Sequence, residues 1–322
     1  MTTLDLSIII VNWNSKTYLQ KCIASVLHTI RGIKYEILVI DNASYDGTDE
    51  MLKQHYPSIH YIQSDMNLGF AKANNEAFLY SRGKYILFLN PDTEFHDNSI
   101  WTLYENLRTL PNTAMVGCKI LNSDKTIQTS CIQAFPTILN QVFDSNALRR
   151  FFPRSRLWGM KPLFTDSELP TKVDAISGAC LMINRSVFED VGMFTTDYFM
   201  YSEDVDLCYK VRKAGQNAYY IPAAKVTHYG GTSSSQSNVS SFSSVMMMES
   251  RWRYFKKRRS ITYAIFYRLV MCLASIVRIG VIFLISPIYL AKGRWGSIRD
   301  MFRKWAAKLR WAIGREGWVN QQ

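Results

Sequence analysis

Two periods of apolar spacing take turns along the chain. Residues 6–11, LSIIIV, form an apolar run with three isoleucines, the pattern of a strand buried on both faces. EILVI at 36–40, the shorter IHYIQ at 59–63 and KYILFL at 84–89 repeat it. Between them the spacing turns helical. Tyr18, Leu19, Cys22, Ile23, Val26 and Leu27 line one helix face that Ser15 is placed to cap, and a second helix is expected at about 70–82. Alternation of this kind predicts a parallel sheet with crossover helices. Further strands are expected near 115–121, 173–183, 217–221 and 225–229, with a helix at about 203–214 that ends at Gly215. Residues 135–170 carry Pro136, Pro153, Pro162 and Pro170 with little periodicity and read as an excursion from the sheet, a cover over the site being one role open to it. Residues 230–244 are rich in Gly and Ser and are expected to be mobile. No internal repeat is seen.

Composition adds one asymmetry. The chain has 322 residues, 48% of them hydrophobic, enough for a large core. Its net charge of +12 is concentrated: residues 251–322 hold 16 of the 38 basic and 2 of the 26 acidic residues, so that segment carries +14 and the remainder −2. The six cysteines are scattered without a C-x-x-C pair, which suits a reducing compartment. MTTLDLSIIIVNWN lacks a basic leader and reads as a first strand, not a signal peptide.

Ligands of open α/β sheets gather at the carboxyl ends of the strands. Here those ends read NWN (12–14), DNASYDGT (41–48), NLGFAKANN (67–75) and NPDTEF (90–95), all polar and none a glycine-rich dinucleotide or P-loop fingerprint. A dehydrogenase or P-loop NTPase is disfavoured. Trp13 is suited to stacking on a base or to plain packing. Asp41 suits the imide N–H of a pyrimidine or a turn, and Asp92 suits Mg²⁺ or Mn²⁺ or a cap. YFMYSEDVDLCYKVRKAG at 198–215 sets Glu203, Asp204 and Asp206 beside aromatic and apolar residues, where carboxylates need partners or a task.

SIIIVNWNS, EILVIDNASYDGT, NLGFAKANN, LFLNPDTEF, SGACLMINRSVFEDVGMF and FMYSEDVDLCYKVRKAG, followed by VTHYGG, resemble family 2 glycosyltransferases, in particular the bacterial dTDP-rhamnosyltransferase-like group, from about residue 5 to 231. The resemblance implies a GT-A fold: a Rossmann-like, mostly parallel sheet with flanking helices. It implies a catalytic domain over 1–245, with a nucleotide-binding half to about 120 and an acceptor-binding half after it. It implies inverting transfer with Asp204 as the catalytic base and a Mg²⁺ or Mn²⁺ ion on Asp92 and His228, the histidine matching a residue that ligates the metal or contacts the diphosphate. Val11, Trp13, Asp41, Asn67, Gly69, Lys72 and Asn90 are then expected at the donor nucleotide, and Gly178, Ala179, Tyr201, Glu203 and Asp206 at the acceptor. Asn90 replaces the first Asp of the family's D-x-D motif. GMFTT at 192–196 replaces the usual G-G-F-D-E, and MESRW at 248–252 resembles the Q-x-x-R-W of processive members without its Gln, which argues for addition of a single sugar. For Glu203 and Asp206 helix capping stays open, as does a purely structural role for His228.

Residues 246–322 read as a basic amphipathic region. The apolar stretch 261–291 is cut by Arg268 and Arg278 into uncharged runs shorter than the roughly 20 residues of a span. Burying Arg278 at mid-bilayer costs roughly 2.5–3.5 kcal/mol. Interfacial or half-inserted helices with snorkelling arginines are therefore expected on an anionic membrane surface. A helical hairpin packed on the body and a dimer contact are the alternatives, and nucleic acid is disfavoured by the aliphatic content. The expected function is transfer of one sugar, rhamnose from dTDP-rhamnose, to a polyprenyl-diphosphate-linked saccharide in O-antigen or capsule assembly at the cytoplasmic face of the bacterial inner membrane. The competing readings are a UDP-sugar-dependent transferase of the same fold and a non-catalytic nucleotide-sugar or membrane-binding module. Self-association is left open.

Overall fold

The structure, a computed structural model, describes residues 4–230 and 239–318. In chain order the elements are β1 (Leu6–Asn12), α1 (Lys16–Thr29), β2 (Tyr35–Asp41), α2 (Thr48–His55), β3 (His60–Gln63), α3 (Gly69–Phe78), β4 (Tyr85–Leu89), β5 (Thr93–Phe95), α4 (Ser99–Thr109) and β6 (Thr113–Leu121). There follow β7 (Ile132–Gln133), α5 (Ile138–Val142), α6 (Asn146–Phe151), β8 (Thr171–Val173), β9 (Ala175–Ile176), β10 (Cys180–Asn184), α7 (Arg185–Asp190), α8 (Glu203–Lys213) and β11 (Asn217–His228). The C-terminal helices are α9 (Val239–Arg258), α10 (Ile261–Ala291) and α11 (Trp295–Ala312). The chain divides into two compact units. The second consists of Pro136–Ser145, Met200–Ser202 and the C-terminal helices; the first holds the rest.

In the first unit the sheet runs β3-β2-β1-β4-β10-β6-β11-β5, with β8 on β11. β1, β2, β3 and β4 are mutually parallel, as are β6 and β11, whereas β10 is antiparallel to both its neighbours. Leu6, Ile8, Ile9 and Ile10 of β1 are wholly buried, as expected of a strand covered on both faces. At the sheet edge where β2 begins, Glu36 takes bonds from Ser7 Oγ (2.7 Å) and from the Arg82 N–H (2.6 Å) and guanidinium (2.7 Å), tying β1, β2 and the β4 approach together.

Several expected elements are redrawn. The run at 173–183 is three short strands, broken at Asp174 and again over Ser177–Ala179. The two strands at 217–229 are one, β11, with a register shift between Ile221 and Lys225 at Pro222, which lacks the N–H a regular ladder needs. Thr93–Phe95, read as part of a turn, pairs with the end of β11. Ser15 stands at the N-cap of α1 but donates to Trp13 O (3.0 Å) instead of capping. The excursion at 135–170 contains α5 and α6, and its first part belongs to the second unit. The expectation of mobility at 230–244 falls largely on residues outside those described. The six cysteines are free and, Cys272 apart, buried.

The second unit packs α9, α10 and α11 with α5. α10 is one continuous helix of 31 residues, long and apolar enough to cross a membrane by length and composition. Its buried stripe is Ala264, Tyr267, Met271, Ser275 and Ile282. Tyr267 meets Phe255 of α9 at a ring-centroid distance of 4.9 Å, and Trp311 of α11 donates its indole N–H to Glu249 of α9 (2.9 Å). Arg268 and Arg278 do not snorkel outward. Arg268 donates to Trp311 O (2.7 Å) and Ala312 O (3.1 Å), and Arg278 to Val142 O (2.7 Å), so both satisfy carbonyls within the unit.

Candidate active site

Strand register gathers the candidate residues on one sheet edge. Asn12 lies level with Asp41, and Ile10 level with Leu89, so the ends of β2, β1 and β4 emerge side by side, each about 4.8 Å from the next. Because β10 runs antiparallel, its start, Cys180, faces Leu89 at the end of β4. Asn90 N–H then donates to Ala179 O (2.9 Å), which brings Gly178 to the same edge. β11 also ends there, with His228 opposite Thr93 of β5.

At the β2 end Asp41 is 1% exposed and accepts four bonds: from Asn12 Nδ2 (2.7 Å), Ser44 Oγ (2.7 Å), Ser44 N–H (2.9 Å) and Gln63 Nε2 (3.2 Å). These occupy the carboxylate's roughly four lone-pair positions. Asp41 therefore shapes the loop, and a base N–H would have to displace one of these donors. The loop holds Ala43 (φ 60°) and Tyr45 (φ 51°) left-handed, and Asn14 after β1 is at φ 49°. Such positions cost roughly 1–3 kcal/mol each and collect at working sites. Trp13 is 40% exposed, open enough for a base to reach it. Val11, next to last in β1, is buried, so any approach to a ligand there would be by its backbone.

The NLGF turn is built for packing. Asn67 Oδ1 accepts the Gly69 N–H (2.9 Å), and Asn42 grips the turn through the Leu68 N–H (3.2 Å) and Gly69 O (3.2 Å). Gly69 is at φ +73°, and a Cβ there would lie 2.3 Å from Phe199 O. Its need for glycine is thus explained by chain packing. Lys72 points outward from α3 and is exposed.

Asp92 is 7% exposed, and its Oδ1 lies 3.2 Å from His228 Nε2. A chain of bonds sets the imidazole tautomer. Thr126 donates to Asp124 through its hydroxyl (2.6 Å), and its bonds hold that exposed carboxyl below its ordinary pKa, hence ionised and acceptor only. The Thr126 oxygen then accepts Asn122 Nδ2 (2.9 Å), Asn122 Oδ1 accepts Gln128 Nε2 (3.1 Å), and Gln128 Oε1 accepts from His228 Nδ1 (2.8 Å). An amide oxygen only accepts, so Nδ1 carries a proton here, and Nε2, beside Asp92 and with Asn90 Nδ2 at 3.3 Å, is the ring atom placed to offer a lone pair to a cation. Two acceptors 3.2 Å apart match adjacent ligands of an octahedral ion with bonds of about 2.1 Å, whose edge is about 3 Å. Among the described residues no cluster of three or more His, Cys, Asp or Glu exists.

Asp204, in the first turn of α8, is half-buried. Its carboxylate accepts the Gly178 N–H (3.0 Å) and the Val205 N–H (2.7 Å), so the backbone fixes its direction. The other acceptor assignments divide. Asp206 is wholly buried and accepts from Thr195 Oγ1 (2.6 Å) and Tyr198 OH (3.3 Å). It clamps the segment before α8 and does not reach an acceptor, because helix phase turns it away from Asp204. Ala179 is 5% exposed, with its N–H bonded to Ser177 Oγ and its carbonyl to Asn90, so it too is structural. Glu203 is buried. Tyr201 is left-handed (φ 68°), as is Ser202, and belongs to the second unit. Sequence reasoning missed Gln128 and Asn122. They lie in the polar turn after β6, a strand end that the same rule covers.

Such an edge defines an α/β protein with an acidic residue and a His–Asp pair gathered at the carboxyl ends of its strands. The chain belongs to glycosyl transferase family 2, whose model matches residues 7–192. It is 31% identical over 242 residues to the N-acetylglucosaminyl-diphospho-decaprenol L-rhamnosyltransferase of Mycobacterium tuberculosis, covering 70% of this chain and 76% of that one. It is 27% identical over 276 residues to the rhamnosyltransferase WbbL of Escherichia coli, covering 81% and 97%. The fold is that of the Pyrobaculum calidifontis mannosyltransferase PcManGT, solved with GDP-Man and Mn²⁺, at a TM-score of 0.58 and 15% identity over 98% of this chain and 88% of that one.

Proposed function

We propose that this chain is an inverting, metal-dependent glycosyltransferase that moves one rhamnose from dTDP-rhamnose to a polyprenyl-diphosphate-linked saccharide at the cytoplasmic face of a bacterial membrane. The observation that carries the reading is the arrival of Asp204 and the Asp92–His228 pair at one sheet edge, by way of β10 and β11. The names of the two rhamnosyltransferase relatives support the sugar, and that of the mycobacterial one the lipid-linked acceptor. In the reaction the acceptor oxygen bonds to the donor's anomeric carbon as the bond from that carbon to the diphosphate oxygen breaks. Asp204 takes the hydroxyl proton, and the nucleoside diphosphate departs. Asp92 and His228 would hold the cation, which when bound supplies positive charge to the leaving diphosphate. Gly178 and Val205 aim the base, and Trp13 offers its exposed ring to the nucleobase.

The test is a panel of nucleotide sugars, dTDP-rhamnose and UDP-sugars among them, titrated calorimetrically with Mn²⁺, with Mg²⁺ and with EDTA. Turnover on N-acetylglucosaminyl-diphospho-polyprenol follows, with the product's anomeric configuration read by NMR. Asp204→Asn should bind donor as the parent does and lose roughly 10²–10⁴-fold in turnover. Full turnover by that variant, or tight donor binding in EDTA by the parent, would contradict the assignment.

A further inference from the structure

Opposite its buried stripe, α10 presents an arc of roughly 160°, at 3.6 residues per turn, on which no charged residue stands. Ile265, Leu269, Leu273, Ile276, Leu284 and Ile288 lie on it, each about half exposed or more. From 265 to 288 the arc is about 35 Å long. Arg268 and Arg278, close to three turns apart, both lie on the packed side. There their guanidinium groups stack on Trp311 (5.0 Å) and Trp305 (4.4 Å) of α11.

α11 runs antiparallel beside α10, since Arg268 meets Trp311, Arg278 meets Trp305, and Phe283 meets Phe302 at a centroid distance of 5.7 Å. Trp295 and Phe302 of α11, with Ile313 at its C-cap, form an exposed row, which the Phe283–Phe302 contact joins to the α10 arc. Arg299 and Arg303 stand exposed along the edge of that row. The two helices thus share one apolar face with a cationic margin.

We propose that α10, although long enough to span, does not cross the bilayer: α10 and α11 lie together in the plane of one leaflet, apolar face among the acyl chains and margin among anionic headgroups. The inference rests on the membrane part of the proposed function. Were α10 to cross, its antiparallel partner would carry Arg303, Lys304, Lys308 and Arg310 into the hydrocarbon abreast of residues 268–282, where charge is strongly disfavoured. Were α11 to detach instead, Arg268 would lose its carbonyl partners, and Arg278 its stack on Trp305, inside the hydrocarbon. Lying flat leaves every one of these contacts intact, and the occupant that matches an apolar face rimmed by arginine is an anionic lipid surface.

The test uses the full chain in a Cys272→Ser background, which leaves the five buried cysteines. Arg259→Cys and Lys292→Cys, at either end of α10, are probed separately with an impermeant maleimide in inside-out and right-side-out membrane vesicles. Both should label in the inside-out vesicles and neither in the right-side-out ones. Labelling of the two ends from opposite sides would overturn the in-plane arrangement while leaving membrane association standing. Recovery of the protein as a soluble dimer or monomer would instead remove the membrane reading. On phosphatidylglycerol-containing liposomes, the Arg299→Gln/Arg303→Gln variant should bind on the order of tenfold more weakly, with no change on neutral phosphatidylcholine. Equal loss on both would overturn the headgroup role of the margin.

Discussion

Gln128→Leu removes the acceptor that His228 Nδ1–H meets at 2.8 Å, the last bond in the chain from Asp124. The side chain of His228 is only 15% exposed, so little water is at hand to replace the acceptor. The lost bond costs about 1 kcal/mol. Releasing the ring to carry its proton on Nε2, which then no longer offers a lone pair beside Asp92, adds a cost of the same order. Together they predict a ten- to 100-fold loss of metal affinity, about 1.4–2.7 kcal/mol, the range for partners that orient ligating histidines. Gln128→Glu retains an acceptor at the same place and should bind metal within a few-fold of the parent. Mn²⁺ titration by electron paramagnetic resonance, with nucleoside diphosphate present, measures the affinity, and ¹⁵N NMR of the imidazole reads the tautomer without reference to turnover. Parental Mn²⁺ affinity in Gln128→Leu, together with an unchanged ring signature, would show that the relay does not set the ligand.

Three further outcomes follow from the geometry. Gly69→Ala should lower stability by roughly 1–3 kcal/mol, seen as a drop in Tm, because a Cβ would press to 2.3 Å of Phe199 O; no change would mean that the turn relaxes freely. Glu36→Gln should cost roughly 1.5–3 kcal/mol through weakened bonds to Ser7 and Arg82. Burial pushes the Glu36 carboxyl up, but the Ser7 and Arg82 bonds outweigh it and hold it below 4.5. Its contribution is therefore full above the unfolded pKa and lost as pH falls through the lower folded value, so Glu36→Gln should flatten that acid limb in urea titrations, and an unaltered limb would refute the clamp. Asp206→Asn should destabilise by about 1–3 kcal/mol yet leave KM for the acceptor unchanged in the folded fraction, whereas a selective rise in that KM would restore Asp206 to the acceptor site.

What the sequence made legible was set by burial and by strand ends. LSIIIV had to be a strand covered on both faces, and the polar turns after it had to lie on the ligand edge whatever their detailed contacts. Hydropathy says nothing of strand direction, however, and direction is what matters at β10. Had that strand run parallel to β4, Gly178 would have emerged at the opposite edge, its N–H far from Asp204. The antiparallel insertion brings Gly178, the backbone partner of Asp204, to the ligand edge from a distant part of the chain, and hydropathy does not announce that direction.

Phase hid the rest. Glu203, Asp204 and Asp206 look equivalent when read in line, yet at 100° per residue Asp204 and Asp206 point about 200° apart, so one carboxylate can face the site only if the other enters the core. The buried Thr195–Asp206–Tyr198 cluster is thus part of what orients Asp204: the core carboxylate sets the rotation of α8, and that rotation delivers Asp204 to Gly178. The same arithmetic undoes the linear reading of α10. Two arginines inside an apolar stretch appear to shorten it, but a spacing close to three turns returns both to one side and leaves the opposite side unbroken. Charge on a helix counts by face, and counting it by face joins the long apolar arc to a basic neighbour that holds it flat.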